Sequence, residues 1–310
     1  MSAVTPIHYD ARLEDNERRK KLFAGDLFVY SPSVHSLELC ELAQELLREA
    51  FAPLDPETAQ FEMEVEDYAQ ILAVVKPKFI HHPECKRIIP NLLEDMGHDP
   101  ELTYFDIPRL RSSTAQGYLT SGIAYAFHPH RDTWYSAPKC QINWWLPVFE
   151  FNPGMGMGIY PRYFDQSVDN TSDQHNYYRW NAESRPSAAK HLKSEGRLQP
   201  GPLEEVDLSG GIEIVTPVGG LTGFSGVHLH SSMPNNGHRT RFSIDFRVVH
   251  EEDVRNHTGA PSVDCRSVGT TLRDFRKLND LSTLDEEVCA SYDTQPLGEG
   301  EKLVFEQSAV

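Results

Sequence analysis

The run from residue 240 to residue 249 alternates without a break: Phe242, Ile244, Phe246 and Val248 fall on one side, Arg241, Ser243, Asp245 and Arg247 on the other. Successive side chains of a β-strand leave opposite faces, so this segment is a strand with one apolar face to cover and one polar, charged face. An antiparallel sheet can turn such a polar face to water. The alternative is that the polar face lines a binding site.

The rest of the chain agrees with a sheet. Residues 104–113, 122–127, 141–149, 155–160, 212–216, 220–224 and 240–250 are short apolar or alternating runs bounded by Gly, Pro and Asn. That pattern predicts antiparallel strands and suits a double-sheet jelly roll. The first part reads differently. In residues 33–51, Val34, Leu37, Leu39, Leu42, Leu46 and Leu47 recur at helical spacing, with Ser33 as an N-cap and Pro53 just past the end. Further helices are expected near 58–75 and 83–96. The expected fold is mainly β with flanking α: a jelly-roll (double-stranded β-helix) core with N-terminal helices packed outside.

No linker divides the 310 residues, so one domain is expected. Its parts are a mainly helical stretch at 1–103, the core at 104–250 and a tail at 251–310, weakly ordered apart from one short helix around 271–280. Within the core, residues 165–202 are polar and too long for a simple turn, which makes them either a lid or binding loop, or a solvated insertion.

Charge and cysteine content exclude several classes. The 29 Lys and Arg against 46 Asp and Glu give a formal charge of -17, which repels nucleic-acid backbones and anionic membranes. Five scattered cysteines without a CxxC pair suggest neither a disulfide framework nor a thiolate zinc site and fit a reduced, cytoplasmic setting. No apolar run approaches the ~20 residues of a membrane span, and the polar N-terminus carries no secretory signal.

The segment FHPHRDTWY sets His128, His130 and Asp132 at steps of two. In extended backbone all three would leave one face of a strand, with Ala124 and Ala126 beside them leaving room for a bound molecule. Two imidazoles and a carboxylate on adjacent corners of an octahedron, with the other corners open, are what non-haem Fe(II) oxygenases require. His128 stands in an HPH turn that argues against direct ligation. A further ligand, His228 or His230, lies far along the chain before the strand at 240–250. There Arg241 could form a bidentate pair with a carboxylate, and Ser243 points the same way.

With these residues in place the chain resembles the phytanoyl-CoA dioxygenase family of Fe(II)/2-oxoglutarate oxygenases. The pair His130-Arg131-Asp132, the block His230-Ser231-Ser232-Met233-Pro234-Asn235 and Arg241, eleven residues after His230, keep the family's order and spacing over the β region. Ser231 stands where the family often has Gly. The resemblance implies His130, Asp132 and His230 as iron ligands, Arg241 and Ser243 as the anchor of the 2-oxoglutarate carboxylate, and a role for Ser232 beside it. It also implies that O2 and 2-oxoglutarate become succinate and CO2 while a small-molecule substrate is oxidised. Asp132 replaces the small residue of related halogenases, which favours hydroxylation.

Other residues carry alternatives. Gln141 and Asn143 share a strand face and are candidates for cosubstrate or ligand-supporting bonds, or for bonds to backbone. Trp134 and Tyr135 are candidates for the substrate wall or for plain core. Arg109 and Arg111 share a face and suit an anionic substrate group, or a salt-bridged surface. Two rival readings are a cupin-type metalloenzyme using His128 and a jelly-roll binding protein without turnover. The cupin reading lacks the Glu that usually follows, since none occurs between His130 and Glu150.

Overall fold

Ser33 caps its helix as its position suggests: its Oγ accepts from Ser36 N at 3.2 Å while its own N–H donates to Ser36 Oγ at 2.8 Å. The computed structural model in which this is seen describes residues 4–124, 128–192 and 194–293. Its first part runs β1 Ile7–Tyr9, α1 Asp15–Phe23, β2 Leu27–Tyr30, α2 Val34–Phe51, α3 Val65–Ile80 and α4 Pro83–Asp95. Then come β3 Thr103–Phe105, β4 Arg109–Ser113, β5 Ile142–Pro147, β6 Met157–Ile159, α5 Tyr177–Arg179, β7 Ile212–Glu213 and β8 Leu221–Ser225. The chain continues through β9 His230–Ser232, β10 Arg241–His250, α6 Glu251–Arg255, β11 Arg276–Lys277 and α7 Glu286–Ala290. No described helix is long and apolar enough to cross a membrane.

The helix expected at 58–75 begins at Val65, because Gln60 is drawn elsewhere. Its Oε1 accepts from Ala115 N at 2.7 Å and from Thr240 Oγ1 at 2.8 Å, so residues 59–61 make one 3-10 turn that ties the helices to the sheet. Residues 104–113 likewise form two strands instead of one. Pro108 has no N–H to give a ladder, and Asp106 fills the gap by accepting from Arg247 N at 2.8 Å.

Mainly β with flanking helices describes the result. The large sheet has the order β1-β2-β8-β5-β10-β3-β11, with β4 also on β10, and the small sheet has the order β7-β6-β9. His130 joins the small sheet's edge through a bridge to His230. From β4 onward the chain alternates between them: β4 large, His130 small, β5 large, β6 and β7 small, β8 large, β9 small, β10 large.

The strand β10 is the spine of this arrangement, pairing with β5 on one edge and with β4 and β3 on the other. Its apolar face looks outward to the helices: Phe242, Ile244 and Phe246 are 0% exposed, and Phe242 meets Phe51 of α2 edge-on at 6.4 Å. The polar face is therefore turned inward and lines a cavity, not open water.

Three expectations fail here. Residues 122–124 form a 3-10 turn instead of a strand, and 125–127 lie outside the described residues together with Ala126. Residues 251–293 are not a loose tail, although 294–310 also lie outside the description. Val254, Leu272, Phe275 and Cys289 are buried with Tyr104 and Val249, and Arg273 donates to Glu286 at 2.6 Å and also to Asp293. The expected helix at 271–280 is a 3-10 turn, Thr271–Asp274, followed by β11.

Because Phe242 joins helix layer to sheet, Phe242→Ala should cost about 3–5 kcal/mol. Urea unfolding should show a lowered midpoint with an unchanged slope.

Candidate metal centre

His130 and His230 are brought together by their own backbones. Each N–H donates to the other's carbonyl at 2.9 Å, and the ring centroids stand 4.3 Å apart. In both residues the ring turns its Nδ1 toward a carbonyl two residues back, His128 O at 2.8 Å and His230's partner His228 O at 2.9 Å. A carbonyl can only accept, so each Nδ1 carries the proton and each Nε2 is left as the accepting nitrogen. Burial, with His230 alongside, holds His130 well below the ordinary histidine value, so it stays neutral.

Asp132 completes the group. Its Oδ1 lies 3.7 Å from His130 Nε2 and 3.8 Å from His230 Nε2. Its Oδ2 accepts from Gln141 Nε2 and Asn143 Nδ2, each at 2.8 Å. A carboxylate can only accept, which dictates how both amides face, and a 2.9 Å bond from Gln141 Nε2 to Asn143 Oδ1 locks the pair. The amides thus serve Asp132, not backbone groups. All three donors are buried, and their ligand atoms lie within 4.8 Å of one another.

The local backbone is not the single strand that the HxHxD spacing suggested. His130 sits in an isolated bridge, and the chain turns at Asp132 into the 3-10 turn Asp132–Tyr135, with Asp132 N held by Gly226 O at 2.9 Å. The His128 side chain is exposed and outside the group. His228 is buried elsewhere, its ring nitrogens 3.3 and 3.2 Å from the carbonyls of Ser225 and Gly25.

Arg241 lies along the same cavity. It is 6% exposed, its Nη1 donates to Ser243 Oγ at 2.5 Å, and its guanidinium stacks 5.5 Å from the Trp145 ring. Its Nε has no partner, and among the described residues no carboxylate stands within ion-pair distance of it. Burial lowers its pKa to about 10, which leaves it charged at neutral pH. Ser232, half-buried, lines the same space, whereas Ser231 is paired with the Tyr160 hydroxyl at 2.8 Å.

Arg109 and Arg111 are committed to carboxylates. Arg109 pairs with Asp106, Arg111 Nε donates to Asp245 at 2.6 Å, and Arg247 bridges the two acids at 3.3 and 2.9 Å. Tyr135 walls the cavity and meets the His130 ring edge-on at 5.4 Å. Trp134 does not: it is fully buried beside Tyr160, Tyr163 and Leu229, with Nε1 bound to Asp264 at 2.8 Å. The insertion at 165–202 forms one side of the cavity through His175, Tyr177, Trp180 and Arg185. It lies so close to Gly122 (φ 62°) that a Cβ there would meet the Ala188 and His191 carbonyls at 2.2 Å. The cavity is about 520 Å³.

The sequence reading missed Arg131 and Asp264. Arg131, between the two ligands, points the opposite way and is 0% exposed. It donates to Asp264 at 3.0 Å and to the carbonyls of Val227, Tyr163 and Gln166 at 2.6 to 2.7 Å. The alternation of a residue between two inward ligands was the available signal. Nothing in the pattern around Asp264 marked it.

No protein-family model matches the chain, and no curated protein matches it. Among solved structures, an apo non-heme monooxygenase, ThoJ, is 13% identical over 70% of this chain and 69% of its own, with a TM-score of 0.37. The non-heme alpha ketoglutarate dependent epimerase SnoN from nogalamycin biosynthesis is 12% identical over 76% and 84%, at 0.35. EvdO2 from Micromonospora carbonacea var. aurantiaca is 14% identical over 77% and 91%, at 0.43. Similarity at this level defines neither a family nor an activity.

Two outcomes test the geometry. Asn143→Ala should weaken divalent-metal binding about 10- to 100-fold, read by metal titration of the folded protein. Arg131→Met, which strands Asp264 as a buried charge, should cost about 3–5 kcal/mol in urea unfolding.

Proposed function

We propose that the protein is a non-haem iron oxygenase that uses 2-oxoglutarate and O2 to oxidise a small molecule, most simply by hydroxylation. The observation that carries this reading is the buried, carboxylate-free guanidinium of Arg241 on the same cavity as His130, Asp132 and His230. A buried cation of this kind, with Ser243 beside it, suits the far carboxylate of a dicarboxylic acid. The donor set fits iron: two neutral imidazoles and one carboxylate leave the remaining positions of an octahedral ion open. The order in which the strands alternate between two sheets supports a double-stranded β-helix, and the spacing of His130, Asp132, His230 and Arg241 is that of the phytanoyl-CoA dioxygenase family.

Iron with bound 2-oxoglutarate supplies the oxidising chemistry, with succinate and CO2 as the co-products. This chain's residues do the rest. His128 O and His228 O keep the two imidazoles in the ligating tautomer, and Gln141 and Asn143 turn one Asp132 oxygen toward them. Arg241 and Ser243 orient the cosubstrate from its far end, and Ser232 borders it. Tyr135 and the insertion shield the site from water. Retention of a carboxylate at Asp132 favours oxygen transfer over halogenation. All five cysteines are free, in keeping with a reducing compartment.

Adding 2-oxoglutarate to the anaerobic Fe(II)-loaded protein should produce a weak visible metal-to-ligand band. In Arg241→Ala the 2-oxoglutarate needed for half its amplitude should rise at least about tenfold. Asp132→Ala should abolish succinate formation, and His128→Ala should retain it. Absence of the band together with unchanged 2-oxoglutarate binding in Arg241→Ala would overturn the reading.

A further inference from the structure

The cavity holds more positive charge than the chemistry just described uses. Seven Lys or Arg side chains line it against three Asp, in a chain whose formal charge is -17. Most of the cations are accounted for. Arg109, Arg111 and Arg247 share Asp106 and Asp245, Arg197 pairs with Glu195 at 2.6 Å, and Arg241 is assigned above. Lys76 and Arg185 are left.

Arg185 opens the 3-10 turn Arg185–Lys190 of the insertion. It is half-buried and lines the cavity, and among the described residues it has no hydrogen-bond or ion-pair partner. Burial lowers its pKa to about 10, with Arg109 and Arg111 pushing the same way. The nearby carboxylate of Asp274 is taken by the Tyr177 hydroxyl. Lys76, from α3, donates to Ile123 O at 2.5 Å and is lowered to about 7 by burial. Lys76 from α3 and Arg185 from the insertion both line the cavity, as do the apolar Ala73, Pro77 and Ile80 of α3 and Trp180 of the insertion, and α3 packs against the turn that Arg185 opens. Holding a guanidinium in such a place without an anion is unfavourable, so the site is built for one that arrives with a ligand.

We propose that the primary substrate is an organic acid whose oxyanion, carboxylate or phosphate, docks on Arg185 while its apolar body lies between α3 and Trp180. The word substrate rests on the oxygenase reading; the anion site does not. Arg185 is then the residue of the insertion that selects acids over neutral molecules.

Calorimetric titration of the full-length chain, free of iron and 2-oxoglutarate, with phenylacetate, phenyl phosphate and neutral phenylacetamide tests this. At least one acid should bind saturably. Arg185→Gln should weaken that acid at least about tenfold and Arg185→Lys less, with phenylacetamide indifferent to both. The tighter acid identifies the oxyanion. Arg241→Gln should leave this site's affinity in place. An unchanged thermal midpoint in Arg185→Gln shows that the loss is local. Equal binding of amide and acids, acid binding indifferent to Arg185→Gln, or no saturable binding of any probe would each overturn the proposal. No iron or cosubstrate takes part, so these outcomes are separate from those of the anaerobic titration.

Discussion

Two imidazoles and one carboxylate converge at the centre of this protein, their ligand atoms within 4.8 Å of one another. His130 Nε2 and His230 Nε2 carry lone pairs because their Nδ1 protons are given to backbone carbonyls, and Asp132 Oδ1 faces both from 3.7 and 3.8 Å. Those separations are too long for a hydrogen bond. Crowding buried acceptors around a carboxylate is costly unless positive charge stands near, and Arg247 Nε lies 3.8 Å from Asp132 Oδ2. A divalent ion held there would offset the charge of Asp132 and engage a lone pair of each imidazole. The surrounding structure keeps the convergence from relaxing by other means: mutual backbone bonds fix the histidines, and Gln141 and Asn143 occupy the oxygen of Asp132 that would otherwise be free to rotate inward.

The polarity of β10 follows from what lies on either side of it. Helices α2 and α3 cover its apolar face, so its charged face must point between the sheets, where water is limited. Charges there need partners. Asp106 and Asp245 with Arg109, Arg111 and Arg247 form a linked set of ion pairs that floors the cavity. Burial raises the Asp106 pKa, Arg109 opposes it, and Asp245 is the foremost of the neighbouring acids that raise it further; the guanidinium contacts supply the compensation a buried acid requires. Against this paired floor, Arg241 stands out as a buried guanidinium with no carboxylate in ion-pair range among the described residues.

Features written in local pattern were legible in the sequence. The Ser33 cap and the β10 alternation depend on neighbours within a few residues and are found in place, and the α2 stripe is buried at Leu39, Leu46 and Leu47 while Val34 and Leu37 are exposed. The convergence of His130, Asp132 and His230 was legible for another reason: the HxD pair and the later histidine are themselves a pattern of spacing along the chain. What was missed depends on partners distant in sequence. The short strands β1 and β2 exist through pairing with each other and with β8, not through periodicity of their own. Residues 251–293 have few apolar side chains, but Leu272 and Phe275 find a ready pocket beside Tyr104. Trp134 faces inward to Asp264, a residue of that same segment. The strand expected through His128 gave way to turns because Pro129 and the bond from Asp132 N to Gly226 O bend the chain there.

Arg131 and the insertion show how labour is divided in such a site. One residue of the HxD pair points out of the metal group and is bolted by four hydrogen bonds to Asp264, Val227, Tyr163 and Gln166, so the ligands on either side of it inherit the rigidity of the scaffold. Val227 precedes His230 by one turn of chain, and Gln166 begins the insertion. The same side chain therefore holds the ligand strands and the root of the loop that walls the cavity. Farther along that loop Arg185 has no hydrogen-bond or ion-pair partner among the described residues. Sheet edges fix the three converging side chains, while the insertion forms one side of the cavity beside them. A fold built this way can change what it acts on by altering the insertion, without disturbing the three acceptors at its centre.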